Sequence, residues 1–131
     1  GAMTQQNGIH ARFESALFER FELRLTVNPP PIKAIASPRD AAFETLLSGN
    51  RLVAAVLAAD KSAAAGKQFY DDDYFEKFFA GVKGVLEQRL AESISATASL
   101  IVGAWEQAGR PDLTARPAPR QPQRVGGRGG F

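Results

Sequence analysis

The chain has 131 residues, 44% hydrophobic and 23% charged, with a net charge of +2. That is enough for one domain with one core, and too apolar for a chain disordered throughout. It contains no cysteine, which excludes disulfides and thiolate metal sites, and no apolar run of about 18 residues of the kind that spans a membrane.

Charge is unevenly placed. Residues 109–131 carry five arginines and one acid, a net +4, whereas residues 1–108 carry 11 basic and 13 acidic groups, a net −2. The body is mildly acidic and the tail is basic. Gly1-Ala2-Met3 has the look of a protease-cleavage scar, and residues 1–8 read as a flexible start.

A first helix is expected from about His10 to Leu25, with Asn7 as its N-cap. At 100° per residue His10, Phe13, Glu14, Leu17, Phe21 and Leu25 share one face, with Phe18 at its edge. The only histidine and a carboxylate are thereby set inside an apolar stripe. Burying such a group unpaired costs on the order of 2–7 kcal/mol, so the pair is expected to be hydrogen-bonded or to ligate something. Glu14, Glu19 and Glu22 interleave with Arg12, Arg20 and Arg24, and most of these charges read as a solvated face.

Pro29-Pro30-Pro31 forbids helix and favours an extended segment, on which Ile32 and Ile35 lie one polyproline turn apart and can lay apolar side chains on the body. Ser37-Pro38 then starts a second helix, with a capping hydroxyl followed by proline at the first helical position. Its apolar pattern runs Ala42, Phe43, Leu46, Leu47, Leu52, Val53, Val56 and Leu57, interrupted by Ser48-Gly49-Asn50, which can kink or split it. It ends near Ala65, and Gly66 suits a C-terminal cap.

Asp71-Asp72-Asp73 complements the dipole at the start of a third helix and lacks the alternating spacing and central glycine of a calcium loop. This helix, from about Asp73 to Ala108, keeps an apolar stripe from Phe75 to Trp105. Ser93, Ser95, Ala96, Thr97, Ala98 and Ser99 form a small-residue zone that lets another helix or a tucked side chain approach closely. Leu100 to Trp105 is apolar nearly all round and is expected to be buried. Gly109 and Pro111 stop the helix, and the Pro/Arg/Gly-rich residues 110–131 read as disordered. The predicted fold is all-α, an antiparallel bundle of three to four helices over residues 9–109 with a disordered basic tail.

Histidine and glutamate one helical turn apart project side by side and can share a metal ion. Catalytic zinc sites use three protein ligands, and the chain has no second histidine. From the residues alone, His10 and Glu14 are part of a metal site, a hydrogen-bonded core pair, or a frayed helix start open to water.

The run Asn7-Gly-Ile-His10-Ala-Arg-Phe-Glu14, followed by Ser15-Ala-Leu-Phe-Glu19, resembles the last zinc-ligand motif of the zinc-dependent phospholipase C and single-strand-specific nuclease superfamily. There a histidine and an acid four residues apart lie on a helix. The long loop and two long helices that follow, through Ala104-Trp-Glu-Gln-Ala-Gly-Arg-Pro111, are similar to C-terminal helices of bacterial members. The resemblance implies a mostly helical fold, a cluster of three zinc ions acting on a phosphodiester, export from the cytoplasm, and His10 and Glu14 as ligands of one ion. The family's remaining histidines, aspartates and N-terminal amino group have no counterpart in this chain. By that resemblance the chain is a C-terminal piece, inactive alone and not holding the zinc by itself, whose partner is its missing N-terminal portion or a second copy.

Arg116, Arg120, Arg124 and Arg128, the last in a Gly-Gly-Arg-Gly-Gly setting, are candidate phosphate contacts for RNA or another polyanion. The rival reading is accordingly a non-catalytic helical interaction module with a basic tail.

Overall fold

The computed structural model describes residues 4–114. They form an all-α bundle of three helices, with no strand among the described residues. The predicted fold class holds, and the arginines of the basic tail from 116 onward lie outside the described residues.

The first helix spans 9–24 and is not uniform. Ile9–Ala11 is α-helical, Arg12–Ala16 forms a π turn, Leu17–Phe21 is α-helical again, and Glu22–Arg24 closes as a 3₁₀ turn. It opens from Gly8, which sits at φ 74° in the left-handed region, rather than from a side-chain cap on Asn7. In the π turn the Leu17 amide bonds to the Arg12 carbonyl, five residues back. That wider turn rotates everything before it relative to Leu17 and Phe21. Arg12 comes inward, 8% exposed, and His10 and Glu14 turn out to solvent. The expected burial of His10 and Glu14 is therefore corrected: uniform 100° spacing fails at one wide turn.

Leu17 and Phe21 pack into the core formed with Tyr74, Phe75, Phe78, Phe79, Val82 and Leu86 of the third helix, Asp72–Gln107. Phe21 stacks on Phe79 at 4.3 Å between centroids. The second helix, Pro38–Ala63, is capped as expected by the Ser37 hydroxyl, which accepts from the Asp40 amide. It runs unbroken through Ser48-Gly49-Asn50. Its C-terminal end reaches the core through Ala63, with Val56 and Ala59 packed alongside.

The segment 25–36 is an extended strap laid along the third helix. The Thr26 amide donates to Glu87, the Lys33 amide to the Ser99 hydroxyl, the Ile35 amide to the Ser99 carbonyl at 3.1 Å, and Gln107 donates to the Ala36 carbonyl. Beneath it Ala91, Ser95, Ser99 and Gly103 recur every fourth residue and are buried. A methyl group at Gly103 would stand 2.2 Å from the Ile35 carbonyl oxygen. The small-residue zone therefore admits backbone, not another helix. Ile35 is half-buried, whereas Ile32 stays 57% exposed.

The far end of the bundle departs from the sequence pattern. Phe43, Leu46 and Leu47 of the second helix are 56%, 68% and 61% exposed, and Ile94 and Ile101 of the third are 51% and 65% exposed. The first helix lies over the other end, and among the described residues the strap on this one leaves these side chains exposed. By length and composition the second helix is also apolar enough to cross a membrane, a property that scanning for an uninterrupted apolar run misses because its few charges are spread out.

Candidate functional site

His10 and Glu14 lie on the first helix across the start of the π turn, with Nε2 and Oε2 3.3 Å apart and side chains 83% and 57% exposed. They stand at the rim of a groove of about 750 Å³ whose walls include Ile9, Phe13, Val53, Val85 and Leu90. Arg89 and Ser93 close its far side and also line a second groove, of about 780 Å³, between the N-terminal half of the second helix and the C-terminal half of the third. Arg89 pairs with Glu92 and donates to the Ser48 hydroxyl.

The pair offers one nitrogen and one oxygen donor on adjacent turns. This is chemistry that zinc accepts, but it fills only part of a coordination shell. Among the described residues no group of three His, Asp or Glu side chains gathers where a metal ion could sit. His10 and Glu14 fit as a contribution to a zinc site, and the described residues do not complete one.

The acidic triplet at the start of the third helix is engaged by cations. Lys67 bridges Asp71 and Asp73, Lys77 also pairs with Asp73, and Arg20 with Asp72. Lys67 and Lys77 lower the Asp73 carboxyl to about 2. Asp71 caps the helix by accepting from the Tyr74 amide.

A buried polar cluster escaped the sequence reading. Arg12 Nη2 meets Asp60 Oδ1 at 2.9 Å, and Arg12 Nε donates to the Tyr74 hydroxyl at 2.8 Å. Tyr74 in turn donates to Asp60, and Gln6 donates to the other carboxylate oxygen and to the Leu57 carbonyl. The Tyr70 ring covers the guanidinium at 3.9 Å. Burial opposes the charge on Asp60, yet hydrogen bonds from Tyr74, Arg12 and Gln6 outweigh it and hold the carboxyl below its ordinary value. Burial likewise opposes the charge on Arg12, and Asp60 and Tyr74 overcome it to push the guanidinium up. The Tyr74 phenol is pushed up by burial and by Asp60. No buried side-chain polar atom among the described residues lacks a hydrogen bond. The cluster is closed and ties all three helices together, so its chemistry is structural. Its signal in the sequence was Asp60, an acid four residues after Val56 and three before Ala63 on the inward face of an apolar helix.

No protein-family model matches the chain, and neither the curated proteins nor the solved structures give a match.

Proposed function

We propose that this chain is the C-terminal helical portion of a zinc-dependent phosphodiesterase-like protein, of the nuclease or phospholipase C kind, with His10 and Glu14 supplying two ligands. The observation that carries the reading is the pair itself: two donors 3.3 Å apart, open to solvent, at the rim of an apolar groove. The buried Arg12 cluster directly behind them fixes the helix that bears them. Bound there, zinc would supply Lewis acidity to a phosphodiester. The remaining donors would come from the missing N-terminal portion. The exposed Ile94 and Ile101 of the third helix support a body that continues beyond these helices.

Equilibrium dialysis of the full chain against zinc, with His10→Ala and Glu14→Ala in parallel, tests this. Weak binding that is lost in both variants is expected, because two donors hold zinc poorly. Tight binding that survives either substitution, or hydrolysis of a phosphodiester by the chain alone, would contradict it. The rival reading, a non-catalytic interaction module, is favoured by a different observation, the apolar outward face of the second helix. A nucleic-acid role for Arg116, Arg120, Arg124 and Arg128 would belong to that reading.

A further inference from the structure

The outward face of the second helix carries a pattern of its own. Phe43, Leu47, Asn50 and Ala54 follow one another at steps of four, three and four, the spacing of a coiled-coil seam. All four are exposed. Leu46 and Val53, 68% and 47% exposed, flank the seam on one side. Glu44 and Arg51 flank it on the other, seven residues apart and also exposed. Among the described residues neither the Glu44 nor the Arg51 side chain has an ion pair or hydrogen bond.

We propose that the second helix pairs with the second helix of another copy of this chain, antiparallel across a two-fold axis. In that register Phe43 packs against the partner's Ala54, and Leu47 against the partner's Asn50. Large side chains face small or polar ones in both layers. On one flank Leu46 meets the partner's Val53. On the other Glu44 meets the partner's Arg51, and the two-fold axis makes this ion pair twice. A parallel pair would set Glu44 and Arg51 against the apolar Leu46 and Val53 flank, so the charges select the antiparallel arrangement. Asn50 in the seam disfavours slipped registers.

Area supports the same occupant. Phe43, Leu46, Leu47 and Val53 leave on the order of 450 Å² uncovered if each residue presents about 200 Å² in full. That is over half of the about 800 Å² each partner contributes to a stable interface. Asn50, Ala54, Ala58 and the stems of Glu44 and Arg51 lie along the same 26-residue helix to supply more. A membrane-spanning placement is the competing occupant on hydropathy alone, but it would leave Glu44 and Arg51 desolvated and unpaired in the hydrocarbon. Phe43, Leu47, Asn50 and Ala54 face away from the side on which the second helix packs, so the seam forms without the metal pair, and only Val53 on its flank also lines the groove beside His10.

Sedimentation equilibrium of the full chain tests it, with circular dichroism to check that each variant keeps its helices. The wild type is expected to dimerise. Glu44→Arg and Arg51→Glu, each placing like charges together twice, should weaken the dimer at least about tenfold. The double variant Glu44→Arg/Arg51→Glu should recover wild-type association. So should an equimolar mixture of the two single variants, as a heterodimer. A wild type that stays monomeric overturns the proposal, whether or not it binds phosphatidylcholine vesicles. So does a dimer that the charge reversals leave unchanged, which would place association on another surface.

Discussion

Arg12 is where three helices meet. Its guanidinium bonds to Asp60 of the second helix and Tyr74 of the third, and its Nη1 donates to the Asn7 carbonyl just ahead of its own helix. Removing one partner of a buried ion pair strands the other, so Arg12→Met should cost about 3–5 kcal/mol in chemical denaturation. Adding Asp60→Leu should cost less than the sum of the two single changes, because it removes the stranded charge. Additive losses would show that the two residues act independently. Asp60 also sets a pH dependence. Its carboxyl is depressed in the folded state, so its contribution is complete above the ordinary carboxyl value and lost as pH falls through the lowered one. Asp60→Asn should flatten the acid limb of the stability curve below about pH 4. The sequence offered Asp60 as a clue, but Arg12 was not legible. A π turn has no residue signature here, and at uniform helical spacing Arg12 faces away from Leu17.

The strap and the third helix depend on each other as elements. Three prolines keep residues 29–31 out of a helix, and the strap amides beyond them find acceptors on the third helix, including the Ser99 carbonyl and hydroxyl. The approach is close enough that only glycine fits at position 103. Gly103→Ala should destabilise the chain by about 1–3 kcal/mol, the usual cost of overpacking, and speed hydrogen exchange at the Ile35 amide. Unchanged exchange at Ile35 would show that the strap does not rest there. The elements themselves were readable. Ser37-Pro38 starts the second helix and the aspartates start the third, because caps and prolines act locally. What covers each element was not readable. An apolar stripe records a face that can be buried and does not name its neighbour, so Phe43, Leu46 and Ile101 look like core in sequence and are exposed in the fold.

At the scale of the whole molecule the first helix caps one end of a two-helix hairpin, and the other end carries only the strap among the described residues. Apolar burial is concentrated between Leu17, Phe21 and the Phe75–Leu86 stretch of the third helix. Among the described residues the proposals rest on two surfaces: the rim where His10 and Glu14 project beside a groove, and the outward seam of the second helix. The histidine–glutamate spacing made the first visible in sequence as a pair of donors, though not its exposure. The second needed the fold, since only the placement of the first helix leaves the seam bare. On the proposed function His10 and Glu14 are two donors of an incomplete metal site. The most direct measurement is the imidazole NMR signal of His10 during a zinc titration, in the wild type and in Glu14→Ala. A saturable shift at His10 that weakens severalfold without the Glu14 carboxylate is the predicted result; a His10 signal indifferent to zinc, or a response identical in the two chains, would contradict it.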